Sequence, residues 1–147
     1  MGLSVALSEL LMQKQLQTEY SYMLMMANDR RMTISDKLSE EISDYNDLQE
    51  YENQCIQLDF ESDTKDLDTS SDEYKQRYQE FLQEKNEISE KYERLINETQ
   101  RELDRKEQAA DMEKEQIETQ LEAVNANIES MSQLVEKNAK DDFSILQ

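Results

Sequence analysis

Residues 59–71, DFESDTKDLDTSS, separate two long runs of helical sequence pattern and therefore decide how the chain is arranged. The stretch contains five acidic residues and one lysine, collects serine and threonine, and lacks the apolar spacing found on both sides of it. Ser70 followed three residues later by Glu73 has the spacing of a capping box at a helix N-terminus. The pattern predicts an acidic loop over 59–71 and a second helix that begins near Ser71.

The composition favours few and long helices on either side of this loop. The chain has 147 residues, of which 35% are charged, with a single glycine (Gly2) and no proline. Turns draw on glycine and proline, so a chain with almost none of either has few turns. Glu, Gln, Lys, Leu, Met and Ala are good helix formers. We therefore predict an all-α protein.

A seam of apolar positions precedes the loop. Steps of three and four residues connect eleven positions, of which eight are apolar or aromatic, as in a coiled-coil seam. The positions are Tyr20, Leu24, Ala27, Arg31, Ile34, Leu38, Glu41, Tyr45, Leu48, Glu52 and Cys55. Thr33 with Asp36 resembles a second capping box, so the helix could break around 32–35, whereas Ile34 and Leu38 continue the seam. Both possibilities stay open from sequence.

The region after the loop contains two further seams that do not share one heptad register. The first runs through Tyr74, Tyr78, Phe81, Lys85, Ile88, Tyr92 and Leu95, and the second through Ile117, Leu121, Val124, Ile128, Met131 and Val135. Leu95 and Leu103 are eight residues apart where a heptad needs seven. A skip of this kind relaxes left-handed supercoiling, so we expect weaker packing in the middle of the second helix.

These patterns predict a long antiparallel helical hairpin or coiled coil that is oligomeric, because two helices bury only one stripe each. An extended parallel dimer without a hairpin is the alternative. The predicted segments are an apolar, Met-rich helical assembly segment (1–33), the remainder of the first helix (34–58), the acidic loop (59–71), the second helix (72–139) and a C-terminal tail (140–147).

No catalytic, cofactor-binding or metal-binding residues are predicted. The chain has no histidine, no glycine-rich phosphate loop and one cysteine, Cys55, so the usual catalytic dyads and zinc sets are missing. Asp66, Asp68 and Asp72 alternate as in an EF-hand loop, but Ser71 stands where that loop needs glycine and Arg77 where it needs glutamate. We therefore expect a protein that is not an enzyme and has no cofactor.

Net charge limits the partners and the location. A formal charge of −19 repels phosphate backbones, which argues against nucleic-acid binding. No stretch is apolar enough to span a membrane, and the first basic residue is Lys14, which does not fit a signal peptide. We expect a cytoplasmic protein, or one exported without a cleaved signal peptide.

The N-terminal fifth differs from the rest of the chain. Six of the eight methionines lie in 1–32, and the segment 20–31 reads YSYMLMMANDRR. Residues 1–33 carry three basic and three acidic side chains, whereas 34–147 carry 13 basic and 32 acidic ones. Four consecutive apolar residues from Met23 point around the helix, so they need more than one neighbour. The predicted interaction residues are Leu3, Leu7, Leu10, Leu11, Tyr20, Tyr22, Met23, Leu24, Met25, Met26, Ile117, Leu121, Val124, Ile128, Met131 and Val135.

The predicted function is that of a coiled-coil structural or scaffold subunit that associates with itself or with another helical protein. The first alternative is a small acidic all-helical chaperone or adaptor of the secretion type, and the second is a peripheral membrane-associated coiled coil. Because there are few basic residues near the N-terminus, the membrane-associated coiled coil is the weakest of these alternatives. In charge and plan the chain resembles helical-hairpin subunits of bacterial extracellular filaments and secretion machines, and the acidic helical chaperones that hold such subunits.

Overall fold

Two long helices account for almost all of the structure, a computed structural model that describes residues 2–145 and the side chains of 2–144. Helix α1 spans Leu3–Thr64 and helix α2 spans Asp72–Ile145, and the described residues contain no strand. The helices pack against each other as a two-helix hairpin, which confirms the predicted all-α hairpin. Supercoiling and oligomerisation stay predictions.

The connection between the helices is shorter than the predicted loop. Residues 59–64 belong to α1, so the connection covers only 65–71. The reason is a contact between aromatic rings, which the acidic composition of this stretch does not indicate. The ring of Phe60 lies 4.7 Å from the ring of Phe81 and 5.8 Å from that of Tyr74, both on α2. These contacts hold the last turns of α1 helical. Asp59 is exposed, and Asp63 accepts a hydrogen bond from Arg77 on α2 at 2.9 Å.

Helix α2 begins within one residue of the predicted position, but a different serine caps it. The hydroxyl of Ser71 accepts a hydrogen bond from the backbone N–H of Tyr74 (3.1 Å) and donates one to the carbonyl of Asp68 (2.6 Å). The backbone N–H of Ser70 donates to Oδ1 of Asp68 at 3.1 Å. Ser70 therefore belongs to the turn, and no glutamate completes a capping box, because the third residue after Ser71 is Tyr74.

One alternative that the sequence left open is settled, and one further boundary differs from the prediction. Helix α1 continues through 32–35 without interruption, because Ile34 is half-buried and Leu38 is buried, which keeps the seam packed. Residues 140–145 continue α2 instead of forming a tail. Ser144 donates a hydrogen bond to the carbonyl of Lys140, one turn earlier, at 3.0 Å. The final residues of the predicted tail, 146–147, lie outside the described residues.

The chain divides into two compact units, and the first combines both ends of the sequence. Unit 1 joins residues up to Met32 with the part of α2 from Glu107 onward. Gln17 on α1 donates a hydrogen bond to Asn125 on α2 at 2.7 Å. Farther along α1, Arg31 forms an ion pair with Asp111 at 2.6 Å. The partner numbers fall as the α1 numbers rise, so the two segments are antiparallel.

Unit 2 covers Thr33–Lys106 and contains the hairpin connection. Its buried apolar side chains are Leu38, Phe81, Tyr92 and Leu103. Thr99 is the buried polar residue of the described chain, and its hydroxyl hydrogen-bonds with that of Tyr45. Thr99 and Leu103 are both buried. The stretch from Leu95 to Leu103, where the heptad register skips, is therefore packed between the two helices.

Candidate interaction surface

Helix α1 exposes nine large apolar side chains within unit 1. They lie along 5–32, in the segment whose buried positions are Ala6 and Ala27, which are 0% and 5% exposed. We call them the N-terminal apolar surface, and they are Val5, Leu7, Leu11, Met12, Tyr22, Met23, Met25, Met26 and Met32. Only six further large apolar side chains are exposed in the rest of the described chain. The apolar exposure is therefore concentrated in one segment.

Helical geometry explains why the methionines remain exposed. Leu24 is half-buried and Ala27 is buried, so this side of α1 faces α2. Each residue turns the helix by about 100°, so Met23 and Met25 project to opposite sides of Leu24. Tyr22, two residues before Leu24, lies roughly 160° from it and is 59% exposed. The surface therefore wraps around α1 on both sides and on its outer edge.

Of the four predicted leucines at the N-terminus, two are exposed and two pack within the chain. Leu3 and Leu10 are half-buried, whereas Leu7 and Leu11 are exposed. Ala6 is fully buried between them. Tyr20 and Leu24, also in the predicted set, are half-buried on the side that faces α2. The four half-buried residues thus contribute to packing within the chain.

The predicted C-terminal seam lies inside unit 1. Ile117 and Val124 are buried, and the other four residues of the seam are half-buried: Leu121, Ile128, Met131 and Val135. The seam packs within the unit whose other segment is the beginning of α1. A partner would therefore reach these side chains only at their exposed edges, whereas the N-terminal apolar surface is open.

The two arginines near this surface are engaged within the chain. Arg30 donates a hydrogen bond to Glu113 on α2, and Arg31 pairs with Asp111. These pairs hold the two basic residues of the segment YSYMLMMANDRR against α2. They are exposed ion pairs, so each contributes little to stability.

Three residues of the surface were not in the predicted set. Val5, Met12 and Met32 fall outside the seams, so a search for helical stripes passes over them. The methionine content of 1–32 could have indicated two of the three, since Met12 and Met32 belong to the six methionines in this segment. Phe143, near the other end of the chain, is also exposed, while the side chains of residues 145–147 lie outside the described part.

Hydrogen bonds, burial and neighbouring carboxylates raise the pKa values of several side chains in unit 2. Hydrogen bonding to Glu41 at 3.0 Å, together with burial, raises the pKa of the Tyr45 hydroxyl. Burial and the neighbouring Glu52 raise the pKa of Tyr92. A hydrogen bond to the same Glu52 at 3.2 Å raises the pKa of Lys91. All of these shifts keep the groups in their ordinary protonation states near neutral pH.

The described residues contain no metal-binding cluster and no membrane-spanning helix. Across 2–145, no group of three or more His, Cys, Asp or Glu side chains has an arrangement that could hold a metal ion. In the same range, neither helix contains a stretch long and apolar enough to cross a membrane. Cys55 is a free, half-buried thiol. The N-terminal apolar surface is thus the feature of this chain that most needs an explanation.

Comparison of the chain with protein-family models, with curated proteins and with solved structures finds no significant match.

Proposed function

We propose that this protein is a non-enzymatic helical scaffold subunit that associates with further copies of itself through the N-terminal apolar surface. The observation that carries the proposal is the set of nine exposed apolar side chains along one segment of α1. Monomeric soluble proteins rarely expose large contiguous apolar patches, and a larger patch marks an interaction site.

The size of the surface fits a specific contact between helices. Nine side chains that each expose about half of a surface on the order of 200 Å² present roughly 900 Å² per copy, close to the ~800 Å² per partner of a standard interface. Met23 and Met25 lie on opposite sides of the helix, so one neighbouring helix covers only part of this area. Full burial needs neighbours on two sides, which favours an assembly of several helices.

The distribution of charge favours a second copy as the occupant. Residues 34–147 carry 13 basic and 32 acidic side chains, so these parts of two copies repel each other. Residues 1–33 carry three of each sign. Contact between copies through this neutral segment therefore has the smallest electrostatic cost. A basic partner protein, in contrast, would be attracted to the acidic remainder and not to this surface.

The test is the molar mass of the full chain, measured by light scattering coupled to size-exclusion chromatography at several concentrations. We expect an oligomer whose population rises with concentration. A variant with Leu11→Gln, Tyr22→Gln and Met25→Gln should be monomeric with unchanged helicity. The matched control is Leu58→Gln with Met112→Gln, two residues that are each 64% exposed outside the surface, and it should associate as wild type does. A wild-type chain that stays monomeric at every concentration contradicts the proposal.

Point substitutions are preferable to deletion of the segment. Residues up to Met32 form half of unit 1, opposite the part of α2 that contains Ile117 and Val124. Deleting 1–33 would expose those buried side chains and create a new adhesive surface. A changed oligomeric state in the deletion variant would then have two explanations.

The second candidate function is an acidic helical chaperone or adaptor, and the methionine content of the surface favours it. Thioether side chains are long and polarisable, so methionine-rich surfaces adapt to different partner helices. On this alternative the chain alone is monomeric, and its helicity and melting temperature rise when a client helix is added. Flotation with liposomes separates both from a membrane-associated protein, because only the latter moves with the lipid.

A further inference from the structure

Five of the nine side chains in the N-terminal apolar surface are methionines. They are Met12, Met23, Met25, Met26 and Met32, and their exposed fractions lie between 36% and 63%. Their sulfur atoms make this surface chemically different from a leucine surface of the same size. Leucine is inert to mild oxidants, whereas an accessible thioether is one of the side chains that oxidants attack most readily.

The reaction itself requires only a peroxide and the thioether. The sulfur lone pair attacks one peroxide oxygen and forms an S–O bond while the O–O bond breaks and hydroxide leaves. The transferred oxygen loses its proton to the hydroxide, so methionine is oxidised to the sulfoxide and hydrogen peroxide is reduced to water. The product carries a strongly polar S=O group in place of an apolar sulfur. Burial of such a group without a hydrogen-bond donor is unfavourable.

We propose that the N-terminal apolar surface is a methionine-oxidation site, at which sulfoxide formation by a peroxide separates the associated copies. The inference rests on the self-association proposed above. Each sulfoxide that must enter a closed contact weakens association by about tenfold or more. Five methionines in one contact make the combined effect large, and the burial of Ala6 and Ala27 in unit 1 leaves the hairpin's own packing on this segment intact.

Association should in turn slow the oxidation of these methionines. Association covers the sulfur atoms, so the surface reacts with peroxide mainly in the dissociated chain. The chain contains an internal reference for this effect, because Met112 on α2 is 64% exposed and lies outside the surface. Met131, half-buried in the C-terminal seam, provides a second reference that the packing of unit 1 shields in part.

The first experiment measures sulfoxide formation at each methionine by mass spectrometry after brief treatment with hydrogen peroxide. Cys55→Ser serves as the background, so that thiol oxidation does not cross-link the chains. At high protein concentration the five surface methionines should react several-fold more slowly than in dilute solution, and Met112 should react at the same rate in both. Equal rates at both concentrations for the five surface methionines overturn the inference.

The second experiment compares the molar mass before and after oxidation, with circular dichroism to verify that helicity is retained. Wild type, here and below with Cys55→Ser so that thiol oxidation does not cross-link the chains, should fall to the monomer mass. Replacement of all five surface methionines by leucine should give a chain that associates and keeps its mass in peroxide, whereas Met112→Leu should remain sensitive. Associated wild type that keeps its mass after complete oxidation overturns this inference alone. Wild type that is monomeric before oxidation overturns the inference together with the proposed function.

Discussion

Ser71 begins α2 by using its hydroxyl group twice, as acceptor from the N–H of Tyr74 and as donor to the carbonyl of Asp68. An N-cap serine satisfies one of the backbone N–H groups that a helix leaves without a partner. We expect Ser71→Ala to lower the free energy of unfolding by about 1 kcal/mol. Urea denaturation followed by circular dichroism measures the change. Ser70→Ala is the comparison, because Ser70 contacts Asp68 within the turn, through its backbone N–H and its side chain, and does not cap α2.

The outcome distinguishes the two serines. If Ser70→Ala destabilises the chain as much as Ser71→Ala does, the capping role assigned to Ser71 is wrong. A smaller loss for Ser70→Ala is expected, since its side chain lies in the exposed turn.

Asp68 makes this turn sensitive to acid. The backbone N–H of Ser70 donates to its carboxylate and lowers its pKa from the ordinary 3.8. A carboxyl group whose folded pKa is lowered stabilises the fold above its unfolded pKa, and that contribution disappears as the pH falls through the lowered value. We expect the melting temperature of wild type to fall below about pH 4 more steeply than that of Asp68→Asn. Parallel acid-dependence curves for the two proteins contradict this assignment.

At the scale of the elements, periodicity in the sequence predicted the helices and both arms of the hairpin. The end of α1 was misplaced because acidic residues at 59–64 are typical of loops, and the contact that keeps this stretch helical is made with α2. Phe60 reaches residues that lie 14 to 21 positions later in the chain, Tyr74 to Phe81. A local pattern does not contain such a contact. The choice of Ser71 over Ser70 as the cap is different, because the contacts that decide it, with Asp68 and Tyr74, are local, and neighbouring serines offer the sequence two equivalent candidates.

Phe60 provides the test at this scale. Its ring contacts Phe81 and Tyr74 across the helix pair, and the guanidinium group of Arg77 lies 5.8 Å from its centre. Truncation of a fully buried phenylalanine costs about 3 to 5 kcal/mol, so the half-buried Phe60→Ala should cost about 2 kcal/mol. Leu58→Ala, in the same turn of the helix but 64% exposed, should change stability by less than about 0.5 kcal/mol. Equal losses in the two variants contradict the role given to Phe60.

Part of the candidate surface could be read from the sequence, and part could not. Four consecutive apolar residues, Met23 to Met26, cannot all face one neighbour, and the exposure of Met23, Met25 and Met26 follows from that alone. The seam from Ile117 to Val135 was different. An apolar stripe has the same spacing whether it packs on its own chain or on another molecule, so the sequence left its partner undetermined. Only the pairing of the two chain ends within unit 1 places the seam inside the molecule.

For the whole molecule, the separation of charge from apolar surface sets the conditions of assembly. The chain has a formal net charge of −19, and residues 1–33 contribute equal numbers of both signs to it. Assembly through the N-terminal apolar surface gathers these acidic chains at high local concentration. Their mutual repulsion opposes the burial of the apolar side chains and is screened by salt within about 10 Å at 0.1 M ionic strength.

Salt should therefore strengthen association. We expect the oligomeric fraction of wild type, measured by light scattering at a fixed protein concentration, to rise as sodium chloride increases from about 0.02 M to about 1 M, because the Debye length shortens to about 3 Å. Contacts made mainly of ion pairs would respond in the opposite direction. The variant with Leu11→Gln, Tyr22→Gln and Met25→Gln has the same net charge, so it separates screening from association. Its melting temperature should rise with salt, but the variant should remain monomeric. Dissociation of wild type at high salt would place the contact on the charged faces of the helices and not on the methionines.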